Sequence, residues 1–342
     1  MMFRGDGLRA TVLRTAGAAL AAVLLSSCGG GEQVQKFLPT RIIAFGDEAS
    51  VIENIAGDPD DPNGVNGRKY SVNYKADAST ARDCKASAIW IQILASNYGL
   101  VFPNCNPDAV AAPASRILAI PDATAADPSA AAADVKKQID DFLAAGGSFS
   151  EKDLVTVLAG QHDILNQYEA VKAGTTTQDQ AIAVLEAAGA ALAGQVNRIA
   201  GAGGKVLIST VPDLGLTPFA RAEETTTVGR EALLSLLTDR FNSKLRVNLL
   251  NDGRKIGLLL THEMVQSISK VSSLNWTDAA CAIAVPDCTT LTLATTPTTT
   301  MPTLPTPSTV GGWLWSDPTH LGVGGHSNLG SLAVVRATGN PF

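Results

Sequence analysis

The tightest constraint on this chain is a recurring pattern: a short apolar run stopped by a turn, followed by a longer stretch with helical periodicity. The first run is Arg41 to Phe45, ended by Gly46 and followed by the carboxylates Asp47 and Glu48. Asp153 to Ala159 is the second, ended by Gly160, and Lys205 to Thr210 and Lys255 to Thr261 follow. Short runs of apolar and β-branched residues read as strands buried on both faces. Between them, apolar residues recur at helical spacing in Cys84 to Leu100, Ala130 to Ala145, Thr177 to Ala200 and Thr225 to Leu250. Strands alternating with helices predict an α/β protein with a central parallel sheet covered on both faces. Ligands of such sheets bind beyond the carboxyl ends of the strands. Gly46-Asp47-Glu48 and Gly160-Gln161-His162-Asp163 are therefore the first places to look for chemistry.

Residues 1–27 are read as a targeting segment rather than as fold. Arg4, Arg9 and Arg14 precede an apolar stretch, Ala16 to Leu25, that is too short to span a bilayer. It closes on Leu25-Ser26-Ser27-Cys28-Gly29, which looks like a bacterial lipobox with Cys28 as the lipidated residue. Gly29 is not the aspartate that retains such proteins at the inner membrane, so the expected location is the cell envelope. The chain is expected to be lipid-anchored in the outer membrane, facing the periplasm or the exterior. Residues 28–40 form a tether and 41–342 the folded domain. Losing residues 1–27 removes three arginines and one aspartate, taking the net charge from −6 to −8. A domain this acidic, with no basic patch, is not expected to bind nucleic acid. At 342 residues and 45% hydrophobic it is long enough to bury one large core or two modest ones.

Four further cysteines, Cys84, Cys105, Cys281 and Cys288, read as two local disulfides in an exported protein. None of them has the C-x-x-C spacing of a zinc site. Gly57 to Asn66 is dense in turn formers, and its Asp58, Asp60 and Asp61 are expected to be a solvated acidic turn rather than a calcium loop. Residues 289–309 are a Thr/Pro-rich stretch that cannot bury a core face and is expected to be an inert extended loop.

Several blocks, in order, resemble the GDSL or SGNH hydrolases. Gly46-Asp47-Glu48-Ala49-Ser50 matches the family's Gly-Asp-Ser-x-Ser, with Glu48 at the nucleophile position. Ile89 to Ala95 resembles the family's helix with a Val-Trp…Leu-Ala pattern, and Val211 to Pro218 a segment common in the family. Gly160-Gln161-His162-Asp163 matches Gly-x-Asn-Asp, with His162 at the oxyanion asparagine. Asp317-Pro318-Thr319-His320 matches the closing Asp-x-x-His, and His326 opens a final helix. The second block, whose glycine supplies an oxyanion amide, aligns loosely with Asn106 to Ile120, where the run Ala111 to Ile117 holds no glycine and Pro113 has no amide to donate. The resemblance implies a flavodoxin-like three-layer α/β/α sandwich, an ester- or acyl-type small-molecule ligand and no cofactor. It implies Asp317 and His320 as acid and base, with Gly46, Asp47, Gly160 and Asp163 around the substrate.

A serine hydrolase needs an activated hydroxyl and preorganised oxyanion donors. Glu48 supplies neither, and as an anion it repels a developing oxyanion. Ser50 matches the motif's second serine and is expected to point elsewhere. Three readings follow. The first is a degenerate hydrolase that binds a ligand or partner, with Glu48 ion-paired to His320. The second is an ester hydrolase working by an altered route. In the third, Glu48, His162 and His320 hold a divalent metal and Asp317 orients His320.

Overall fold

The computed structural model describes residues 36–125, 134–271, 274–294 and 309–339. Its strands are β1 (Arg41–Gly46), β2 (Ile52–Glu53), β3 (Arg68–Lys69), β4 (Arg116–Ile117), β5 (Asp153–Leu158), β6 (Lys205–Ser209), β7 (Ile256–Leu259), β8 (Asn275–Ala279) and β9 (Trp313–Trp315). The helices are α1 (Trp90–Asn97), α2 (Val135–Ala144), α3 (Gln161–Lys172), α4 (Gln178–Gly201), α5 (Pro218–Thr226), α6 (Arg230–Asn248), α7 (Thr261–Val271) and α8 (Val323–Thr338).

The central sheet has the lateral order β4-β1-β5-β6-β7, and all its pairings are parallel. Alternate residues along each strand feed two separate cores, as a pleated strand requires. Ile43, Phe45, Val155, Val157, Val206 and Ile208 pack with α2, α3, α4 and α6. Ile42, Ala44, Leu154, Leu158, Leu207 and Leu259 pack with α1, α7 and α8. The result is the expected three-layer α/β/α sandwich. From β1 the chain steps outward to β4, then crosses back to β5 on β1's other side. The carboxyl ends of β1 and β5 therefore flank the switch point where a flavodoxin-like sheet opens a crevice. Register there is fixed from Arg41↔Asp153 to Gly46↔Leu158, and the Arg41 guanidinium clamps the Asp153 carboxylate at 2.7 and 2.9 Å.

Both expected disulfides form, Cys84–Cys105 and Cys281–Cys288. They explain part of one difference from the sequence reading: the helix expected from Cys84 begins only at Trp90. Cys84 is tied back to Cys105, and the buried Lys69 ammonium draws in the carbonyls of Cys84, Ala86 and Ser87 at 2.7–2.9 Å, so these carbonyls do not serve a helix. The helix expected from Thr225 to Leu250 begins only at Arg230, as α6, and the separate α5 ends before it, with Thr227-Val228-Gly229 between them. Consecutive threonines and a glycine are poor helix formers. Nor is the acidic turn merely solvated. Asp58 pairs with Arg82, Asp60 with Lys75, and buried Asp61 accepts the amides of Val65 and Asn66 at 2.7 Å each.

The targeting segment 1–27, Cys28 and residues 295–308 of the Thr/Pro stretch lie outside the described residues. Its described beginning, 289–294, is not a free loop, since the Thr290 amide donates to Asn73 and the Thr290 hydroxyl to Lys75. Among the described residues no helix is long and apolar enough to cross a membrane.

Candidate active site

Four loops meet above the β1/β5 crevice. The first leaves β1 at Gly46, whose φ of +130° suits glycine and whose missing side chain leaves room for a backbone neighbour. A Cβ there would lie 1.9 Å from the Leu158 carbonyl oxygen. Gln138 of α2 brackets this residue, accepting the Gly46 amide and donating to its carbonyl, both at 2.8 Å. Asp47 then caps a single 3₁₀ turn, Glu48–Ser50, by accepting the Ala49 amide at 3.1 Å. That turn lifts Glu48 over the sheet edge.

The second loop leaves β5 through Gly160, where a Cβ would lie 2.4 Å from the Phe241 ring, and enters α3 with His162 in its first turn. The third follows β9. The Asp317 carboxylate accepts the amides of Thr319 (3.0 Å) and His320 (2.8 Å), curling the chain so that His320 Nδ1 also reaches both its oxygens at 2.8 Å. The fourth follows β4, where the Asp122 amide donates to Glu48 Oε2 at 3.1 Å.

Glu48 is the hub. Its Oε1 lies 2.8 Å from His320 Nε2 and 2.8 Å from His162 Nε2, which is also 2.9 Å from Oε2. The expected site residues Glu48, His162, Asp317 and His320 are therefore brought together in one chain of contacts, Asp317–His320–Glu48–His162. With a carboxylate against each ring nitrogen, His320 can satisfy both only as a doubly protonated imidazolium. Burial alone opposes that charge, but the bonds to Asp317 and Glu48 outweigh it and raise His320 to about 10. Burial likewise opposes ionisation of Glu48, and the two imidazoles overcome it, holding the carboxyl below its ordinary range. The same competition lowers Asp317 beside His320 and raises His162 beside Glu48. Asp47, buried with Glu48 next to it, goes the other way: burial first, then that neighbouring charge, push its carboxyl well up.

The second-block alignment needs correcting. Pro113 lies before β4, whereas the loop beyond the carboxyl end of β4 holds Asp122, with φ +60°. Its amide is the one that faces the hub, so an amide donor is present where the sequence suggested none. A Pro121-Asp122 turn pair after an apolar stretch was the available signal. Gln138 had a signal too, a polar residue at an inward helical position three residues past Val135. The metal set differs as well. Among the described residues, the group whose candidate ligand atoms all lie within 4.8 Å of one another is Glu48, Asp122 and His162. His320 is outside it, engaged by Asp317 and Glu48.

Other expected residues serve the frame. Asp163 accepts the Ala125 amide at 2.8 Å and is buried. Ser50 is fully buried, its hydroxyl 3.2 Å from the Trp90 indole nitrogen, and it makes no hydrogen bond to His320. His326 accepts the Trp90 amide at 3.4 Å; burial, then the Lys69 charge, push it down to about 3, so it is neutral. The free space beside Glu48, Tyr70, Gln161 and His320 is about 10 Å³. That is room for a single water molecule and not for an acyl chain. A far larger cavity, about 470 Å³, lies away from this cluster, along α1 and the segment from Gly99 to Asp108.

No family model matches the chain, and comparison with curated proteins finds no match. Among solved structures it is similar to an extracellular lipase from Streptomyces rimosus, at 14% identity and TM-score 0.42, covering 88% of this chain and 100% of that one. It is similar also to a phospholipase A1 from Streptomyces albidoflavus, at 14% identity and TM-score 0.42, over 87% and 99% of the two chains. An acetyl xylan esterase from Geobacillus stearothermophilus is 11% identical, with TM-score 0.40 over 90% and 99%.

Proposed function

We propose that this chain is an exported, lipid-anchored binding protein on an ester-hydrolase-like frame, whose nucleophile position has become a structural ion-pair hub. The observation that carries this reading is Glu48, bonded to His162 and His320 at 2.8 Å each with about 10 Å³ left beside it. The base that would activate a nucleophile is held as a cation between two carboxylates. Ser50 is turned under the elbow toward Trp90, and the Thr319 hydroxyl, 3.4 Å from His320 Nδ1, meets the ring on the side that Asp317 already holds. Loss of the nucleophile leaves a residual of about 10³–10⁴ over water at best. Export through Cys28 is supported by the charged and apolar leader and accords with the two disulfides. A binding role then falls to a surface other than the hub. The cavity of about 470 Å³ along α1 is of the size that holds small molecules, and an ester- or acyl-type ligand is the proposed class.

The test is turnover of a panel of p-nitrophenyl esters by the wild type and by Glu48→Ser. Neither is expected to show robust activity, since the serine variant regains a hydroxyl but keeps a cramped pocket. Wild-type turnover abolished by His320→Ala would overturn the reading, and full activity in Glu48→Ser would show that only the nucleophile had been lost.

A further inference from the structure

We propose that Glu48, His162 and Asp122 form a binding site for one divalent first-row transition ion of the zinc type. This rests on the reading that Glu48 is a hub rather than part of an esterase. Each of the three positions contributes a ligand type: a glutamate at the elbow, a histidine in the first turn of α3, and an aspartate in the loop whose amide faces the hub. Their candidate ligand atoms all lie within 4.8 Å of one another, with His162 Nε2 at 2.8 Å from Glu48 Oε1 and 4.0 Å from Asp122 Oδ1. Bonds of about 2.0–2.2 Å in tetrahedral geometry separate neighbouring donors by roughly 3.4 Å. The first distance must open and the second close by about half an ångström, within the reach of side-chain rotation alone.

The surroundings fit a ligand shell. Glu48 is held by the Asp122 amide at Oε2 and by His320 at Oε1, and Asp317 holds His320 in turn. Hydrogen bonds of this kind fix the orientation of a ligating carboxylate. The Asp122 side chain is 84% exposed, which supplies an entry path and leaves the outer coordination position to water. On binding, the Nε2 proton of His162 passes to solvent and its lone pair goes to the ion. Glu48 exchanges that hydrogen bond for a metal bond, and two carboxylates balance the charge of the ion. One nitrogen and two oxygen donors suit zinc or its neighbours better than a softer ion.

The experiment is calorimetric titration of chelator-stripped, untagged protein with Zn²⁺ alone, backed by elemental analysis of the loaded protein. One equivalent is expected to bind, with affinity reduced by more than about 100-fold in His162→Ala and in Asp122→Asn, since losing a ligand costs more than losing a partner that only orients one. The exposed position of Asp122 keeps the second variant folded, which thermal unfolding verifies. No stoichiometric binding, or wild-type affinity in both variants, overturns the proposal. Ester turnover is read in a separate assay, so failure of the hub reading and failure of the ion site are told apart.

Discussion

One carboxylate between two imidazoles sets the pH response at the scale of single residues. The contribution of His320, raised to about 10 from an ordinary 6.5, is fully present below about pH 6.5 and is lost as pH rises toward 10. Glu48 is depressed below its ordinary 4.5, so its contribution is present above that value and fades as pH falls beneath it. The cluster is therefore worth most between about pH 4.5 and 6.5. Replacing Glu48 by Gln removes the buried partner of two cations and should cost about 3 kcal/mol or more near pH 6. The same change should flatten the decline between pH 6.5 and 10, which denaturant unfolding across pH would show. Glu48, His162, Asp317 and His320 were all legible in the sequence because each sits in a short motif with fixed spacing. Asp122 carried only a turn signal, because its place in the site depends on where the two-residue strand β4 falls, and two residues carry no periodicity.

At the scale of elements, the crevice depends on how closely β1 and β5 approach at their carboxyl ends. Gly46→Ala would set a Cβ against the Leu158 carbonyl, and since that obstacle is backbone, the sheet edge itself must move. The variant should be strongly destabilised, and soluble expression and thermal unfolding would reveal it. Gln138→Ala is milder. It leaves the buried Gly46 amide and carbonyl without their side-chain partner and should cost about 1–3 kcal/mol, visible in the unfolding midpoint. The short but continuous apolar runs of the core strands made four of the five sheet strands legible. Helix limits were legible only where local signals set them. The late start of α1 follows from a disulfide and from Lys69, contacts remote in sequence, whereas the break between α5 and α6 was written in Thr225-Thr226-Thr227 and Gly229.

Across the whole molecule, the two disulfides staple segments that lack strands of the central sheet. Cys84 and Cys105 close a span of 21 residues that includes α1, and a loop of that size contributes about 3 kcal/mol. Paired replacement of both cysteines by serine should lower the unfolding free energy by that amount while preserving the fold. Their pairing was legible from an even count and short separations. The closure of the crevice was not, because it arises only when the loops after β1, β4, β5 and β9 converge on a single carboxylate. The most direct test of that convergence is nitrogen-15 NMR titration of the imidazoles in chelator-treated protein. His320 is expected to stay protonated to about pH 10 in the wild type and to titrate at lower pH in Glu48→Gln. A His320 that titrates near 6.5 with Glu48 in place would contradict the hub and return the crevice to an open site.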